Sequence, residues 1–333
     1  MRFAIIISLT LLITACFEHD EQLPKLANPV VTLNLDLDKN QAIFLDLKDI
    51  QAENEQPFQD WHLKFQNKAN SWAIFLNTLS NVAIYNTRIT QYDSITPEYN
   101  TQAIKWQLDI PTNNGSAPAI GVWGDFNFDT PKSYKDVYLI RWLSQGEEII
   151  YKLQILDAKE SEYHIRYGTL DDSEVYSPWI PKSEVRLHTY FSLSQDQILP
   201  DVEPPKTQWN ICFTYLTDSI SKYPNIPLTT TPNDYFGLYQ SLVINQGNTS
   251  IYLDTSHSLD AINYFIAKDL SFVNIDEIHN VFYTYNDELS THEVNQNLII
   301  IVKEGDYYFA LKPLDLISTR PKSISLTLEI KPL

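Results

Sequence analysis

At 333 residues the chain has room for two ordinary domains, and 44% hydrophobic with 20% charged residues excludes a disordered or fibrous polymer. The 42 Asp and Glu against 24 Lys and Arg leave a formal charge of −18, which repels phosphate backbones and anionic head groups at long range and excludes nucleic acid as a partner.

The N-terminus carries the first signal. Met1 and Arg2 precede the apolar run "FAIIISLTLLI", which is too short to span a bilayer and has the length of a secretory core. The tract ends "ITAC". Small residues at Thr14 and Ala15 directly before Cys16 resemble a bacterial lipobox, which implies removal of residues 1–15 and acylation of Cys16 on its thiol and its new amine. At about 0.8 kcal/mol per buried methylene, more than one acyl chain holds a protein at a membrane essentially permanently. Phe17 follows where Asp would signal inner-membrane retention, so the expected location is the outer membrane, by lipid anchor only, on its periplasmic or surface face. Residues 16–29 read as a polar tether. Once Cys16 is acylated, Cys212 is the one remaining thiol, which removes any disulfide framework and leaves it a packing role.

Beyond the tether, "VVTLNLDLD" alternates apolar Val31, Leu33, Leu35 and Leu37 with polar Thr32, Asn34 and Asp36, the pattern of a half-buried strand. The same period recurs in "WHLKF", "VYLIRW", "YKLQIL", "YHIRY", "WNICF", "SLVIN", "NLIIIV" and "ISLTLEI", bounded by Asn, Asp, Ser, Pro or Gly. "SLDAINYFIAKDL" is the one stretch with room for a helical turn or two. The fold class is all-β, built from antiparallel strands.

Landmarks repeat in one order along the two halves. "FLDLKD" precedes "WHLKF" and "YFSLSQD" precedes "WNICF"; "IFLN" follows the first and "LVIN" the second; Tyr85 and Tyr252 come next. "VYLIRWLSQGEEIIYKLQILD" then matches "NLIIIVKEGDYYFALKPLD", with Gly146 and Gly305 at the turn, and "YHIRYGTL" matches "ISLTLEI". This order predicts a tandem duplication: β-domains at 30–183 and 184–333, joined near "YSPWIPKSE" and each able to fold alone. Period 2 places Trp61, Leu63 and Phe65 on one face, as it does Trp209, Ile211 and Phe213. Trp61, Phe65, Trp209 and Phe213 are therefore expected as core anchors, with His62, Lys64, Asn210 and Cys212 opposite.

At these residues the sequence resembles the HmuY-type family, secreted haem-binding lipoproteins of Bacteroidetes with an all-β fold. The resemblance rests on "WNICF" and "WHLKF", the Asn-ended "IFLN" and "LVIN", "GVWGDF", and above all the closing hairpin "VYLIRWLSQGEEIIYKLQILD" with "YHIRYGTL". His62 stands where the family has Asp, and Ala310 where the first hairpin has the Lys of "YKL". The resemblance implies haem held by paired His, or Met, from segments before the closing hairpin. Residues 78–136 contain neither, so the first copy lacks such ligands, whereas the second offers His257, His279 and His292.

Other constellations are weaker. Asp125, Asn127, Asp129 and Asp136 fall at positions 1, 3, 5 and 12 of a calcium-type loop, but Thr130 replaces the turn Gly and Asp the final Glu. No nucleophile elbow, HExxH, phosphate loop or dinucleotide fingerprint occurs. The sequence therefore points to a non-catalytic lipoprotein, and the resemblance implies that it binds haem in an outer-membrane uptake role; the alternative is a haem-less relative that binds a glycan, through Trp123, Trp142, Trp179 or the loop around Tyr223, or a partner protein. Growth with radiolabelled palmitate is expected to label the intact chain and not a Cys16→Ala variant; equal labelling of both removes the lipid anchor.

Overall fold

The computed structural model describes residues 27–36, 39–50, 53–57, 60–112, 115–128, 130–219, 236–275, 277–279, 282–286, 291–320 and 323–333. Cys16 and Asp129 lie outside them.

In chain order the strands are β1 (Val30–Asp36), β2 (Asn40–Leu45), β3 (Glu53–Pro57), β4 (Leu63–Gln66), β5 (Ile74–Leu76) and β6 (Ala83–Asn86). Two short pairs follow, β7 (Ile110–Thr112) with β8 (Gly115–Ala117) and β9 (Gly124–Asp125) with β10 (Lys132–Ser133). Next come β11 (Val137–Ser144), β12 (Glu147–Lys159), β13 (Glu162–Thr169), β14 (Val175–Tyr176), β15 (Trp179–Pro181), β16 (His188–Ser192) and β17 (Gln197–Ile198). The remainder are β18 (Ile211–Ser219), β19 (Phe236–Ile244), β20 (Thr249–Asp254), β21 (Glu277–His279), β22 (Tyr283–Asn286), β23 (Thr291–Val294), β24 (Ile299–Glu304), β25 (Tyr307–Arg320) and β26 (Ser323–Pro332). The chain is all-β and antiparallel throughout, as the alternation requires. The short helix Tyr264–Lys268 lies inside the one stretch that suggested helical turns, and the Asn263 side chain caps it by accepting from the Phe265 and Ile266 amides.

Four main sheets form two sandwiches. The first packs sheet β17-β16-β4-β5 on sheet β14-β13-β12-β11-β6, with β15 also on β13, around Leu63, Phe65, Trp123, Tyr163 and Phe191. The second packs sheet β3-β2-β18-β19-β21 on sheet β1-β26-β25-β24-β20, around Leu33, Leu45, Phe213, Ile300 and Leu328. Strand by strand the two match. Lys152 faces Leu139 as Ala310 faces Ile301, and the isolated bridge Ile84–Gln107 has its counterpart in Ile251–Val273. Both closing hairpins turn on two residues. Gln145 and Gly146 are both at positive φ, the I′ pattern, whereas Gly305 alone is positive in its turn, the II′ pattern.

The sandwiches do not follow the linear split at 183 and 184. β1 to β3 precede the first Trp bracket in sequence yet complete the second sandwich, β1 beside β26 and β2 beside β18. β16 and β17 lie past that split and precede the second bracket yet complete the first sandwich, β16 beside β4 and β17 beside β16. Each half donates its leading strands to the other. Periodicity identifies a strand and its buried face, but not which sheet edge it joins.

The exchange is energetically decisive. β1, β2 and the turn after β2 bury Val31, Leu33, Leu35, Ile43, Leu45 and Leu47 in the second core. At about 1.5–3 kcal/mol per buried side chain, their sum is on the order of 10 kcal/mol, as large as a whole domain's net stability. Residues 184–333 expressed alone are therefore expected to show no cooperative melt, and residues 199–333 mixed with a 27–57 peptide are expected to recover one. A sharp transition in the lone fragment removes the exchange.

Candidate functional site

The Trp brackets do not sit in the sandwich cores. Strand β4 begins at Leu63, and both His62 and Leu63 lie opposite Phe191, whose carbonyl takes the His62 amide at 2.9 Å. Asn210 and Ile211 share Leu45 in the same way, again at 2.9 Å. An extra residue of this kind, as in a β-bulge, resets the alternation. Phe65 and Phe213 enter the cores as expected, but Trp61 and Trp209 turn to the outer face. His62 swings inward, its ring 4.5 Å from that of Trp142; Lys64 and Cys212 stay on the outer face.

Each corner is locked identically. Asn77 Nδ2 donates to the Trp61 carbonyl at 2.9 Å and Asn245 Nδ2 to the Trp209 carbonyl at 2.7 Å, which gives the Asn-ended strands of the sequence their reason. The Leu47 amide donates to Asn210 Oδ1 at 2.8 Å, and the Leu193 amide to His62 Nδ1 at 3.1 Å. His62 thus does the work of an amide side chain. Each Trp then meets one ring edge-on at 5.0 Å, Trp61 with Tyr190 and Trp209 with Phe44.

These outer faces enclose a cleft between the sandwiches, a cavity of about 760 Å³ lined from both sides. That volume falls in the range of small-molecule sites. One wall, from β4, β5 and β16, presents Lys64, Gln66, Phe75, His188 and Tyr190. The other, from β2, β18 and β19, presents Ala42, Phe44, Cys212, Thr214 and Val243. Glu203, almost wholly buried, organises the first wall: it accepts from the Leu187 amide at 2.6 Å, His188 Nδ1 at 2.8 Å and the Tyr190 hydroxyl at 3.1 Å. Burial, with the Glu203 charge beside it, drives the Tyr190 hydroxyl far above the ordinary phenol range. Burial likewise raises the Cys212 thiol, so it is no nucleophile.

Five cations line the cleft, Lys64, Lys68, Lys182, Arg186 and Lys206, beside four acids, Asp109, Glu160, Glu184 and Glu203. Lys64 Nζ lies 4.8 Å from the centre of the Phe75 ring. Lys182 Nζ sits 3.6 Å above Trp72 and donates to the Ser71 carbonyl at 2.9 Å; burial lowers its pKa to about 8. Arg186 Nε donates to the Glu203 carbonyl at 2.7 Å. Among the described residues, none of the five forms an ion pair with a carboxylate.

The histidines chosen from sequence lie elsewhere. His257 is partly exposed, its Nδ1 2.7 Å from Asp254 Oδ2. His279 ends β21 on the edge of the other sheet, and His292 lies in β23 opposite Tyr285. His188, which sequence reasoning passed over because it precedes the second bracket, is the one in the cleft. Of the calcium-type loop, Asp129 lies outside the described residues. Asp125 Oδ1 accepts from the Asn127 amide at 3.0 Å and side chain at 2.7 Å, while Asp136 Oδ2 accepts from Asn86 Nδ2 at 2.9 Å. Among the described residues no three His, Cys, Asp or Glu are placed to hold a metal, and no helix is long and apolar enough to cross a membrane. No family model, curated protein or solved structure matches the chain.

The His62 corner has a pH signature. Burial lowers its pKa from 6.5 to about 4, so the unfolded chain takes up a proton near pH 6.5 and the folded one only near pH 4. Stability is whole above pH 6.5 and falls by about 3 kcal/mol as pH drops through that window. His62→Asn, which restores the partner copy's residue, is expected to remove this component of the acid sensitivity in denaturant melts at pH 4 and pH 7. An unchanged pH dependence places the sensitivity elsewhere.

Proposed function

We propose that the protein is a non-catalytic, lipid-anchored binding protein of the outer membrane whose two sandwiches, a diverged tandem pair, hold a small ligand between them. The observation that carries this reading is the cleft: a cavity of ligand size walled by equivalent faces of the two sandwiches, with the same Trp and aromatic pair at each corner. A duplication that served packing alone needs no such opening.

Haem is the ligand that the HmuY-type resemblance names, and its flat apolar ring with two carboxylates suits an aromatic and cationic cleft. Within this site the imidazole available to iron is His188. Its Nδ1 is held by buried Glu203, the outer-shell arrangement that orients metal-ligating histidines, which leaves Nε2 as the free nitrogen. The second reading, a partner protein at the cell surface, draws on the exposed Val122, Phe126, Phe128 and Tyr134 around the β9–β10 hairpin. A glycan platform is less favoured, because Trp179 already carries the His164 ring stacked at 4.2 Å and Lys159 Nζ at 3.8 Å.

Titration of the mature chain with haemin is expected to give a sharpened, shifted Soret band. His188→Ala is expected to abolish it, while a variant with His257, His279 and His292 all changed to Ala keeps it. An unshifted band in the intact chain discards haem; loss of the band in the triple variant alone moves the site out of the cleft.

A further inference from the structure

The two walls of the cleft are equivalent in backbone but opposite in chemistry. Register fixes the pairs. Lys64 faces Tyr190 on one side and Phe75 on the other, and Cys212 faces Phe44 and Val243. Gln66 faces His188, and Thr214 faces Ala42. Superposing one wall on the other therefore puts Lys64 on Cys212, His188 on Ala42, Tyr190 on Phe44, Gln66 on Thr214 and Phe75 on Val243. The first wall has an ammonium, an imidazole, a phenol and an amide where the second has a thiol, a methyl, a phenyl and a hydroxyl. Both basic positions, Lys64 and His188, fall on one side.

The remaining cations reinforce this. Lys182 packs on Trp72 and Tyr163 of the first sandwich, and Arg186 is tied to the carbonyl of Glu203. Lys206 lies at the junction, where its amide donates to the Val185 carbonyl at 2.8 Å. Two acids of the lining are buried and turned to donors of the frame, Glu203 to Leu187, His188 and Tyr190 and Asp109 to the Leu76 and Ala119 amides, while Glu160 and Glu184 are exposed. Cations that make no direct ion pair with the acids beside them leave donors for the carboxylate of a ligand to meet.

Building on the cleft as the ligand site, we infer that its occupant is an amphipathic organic acid, bound with its carboxylate against the Lys64 and Arg186 wall and its apolar body against Phe44, Cys212 and Val243. The apolar wall supplies area and the cationic wall supplies orientation; neither alone accounts for both. Haem, with propionates at one edge of an apolar ring, is one member of this class and a long-chain fatty acid is another.

The test compares each acid with its uncharged twin. Quenching of tryptophan fluorescence in the full mature chain is read on titration with haemin and with haemin dimethyl ester, then with oleate and with oleyl alcohol. Removing a charge-assisted contact at a site of this kind weakens binding by about tenfold to a hundredfold. At least one acid is expected to bind that much more tightly than its twin. Lys64→Gln is expected to erase the preference without altering the melt, Arg186→Gln to erase it with a lowered melt from the lost bond to the Glu203 carbonyl, and Cys212→Ser, on the opposite wall, to leave it intact. Twins that bind equally overturn the inference while the cleft stands as the site. An acid preference that survives both variants overturns the orientation. If none of the four probes binds, both the inference and the cleft reading fall.

Discussion

The structure depends on one constraint: β4 and β18 are central strands that cannot be completed by their own halves. Each needs a neighbour on the side away from β5 or β19, and the neighbour comes from the other half, β16 for β4 and β2 for β18. An unpaired row of amides at that edge, next to an uncovered apolar face, is costly in water and an invitation to aggregate. The reciprocal pairing removes both liabilities within one chain. It also couples the two folding units, since each core closes only when the other half's strands are present.

The exchange explains why the cleft exists. The donated strands β2 and β16 carry Phe44 and Tyr190, and the segments that follow them must lead back to the Trp brackets of their own halves. Trp61 and Trp209 therefore meet the donated strands edge-on, at the place where the chain crosses between sandwiches. Asn77 and Asn245 hold these crossings by gripping the Trp carbonyls. The same strands that tie the sandwiches together set their outer faces opposite each other.

Much of this was legible in the sequence, and the failures have physical causes. Alternation identified the strands, their inward faces from Leu33 to Leu328, and the matching hairpins, because a period of two is dictated by the pleat wherever one face is buried. It could not reveal the extra residue at His62 and at Asn210, since a bulge changes the geometry of a peptide pair without changing composition. The Trp faces were misassigned for that reason alone. Strand partnership was invisible because an apolar pattern marks the buried face of β2 or β16 without naming the sheet edge that it joins. Of the site, the family resemblance drew attention to histidines downstream of the second bracket, whereas His188 gains its meaning only once β16 is known to belong to the first sandwich.

The divergence of the two walls is the step that ties fold to function. Had the copies been kept only for packing, the outer-face positions of β4 and β18 would be free to drift independently toward ordinary solvated residues. What is found instead is a division of labour. The wall with Lys64 and His188 collects basic groups and a buried acid that orients His188, while the wall with Ala42, Cys212 and Val243 sheds polarity although it faces the same cavity. A pair of symmetric walls suits a symmetric ligand or none. An asymmetric pair, built on a symmetric frame whose corners still match to within a few tenths of an ångström, fits a ligand that is itself charged at one end and apolar at the other.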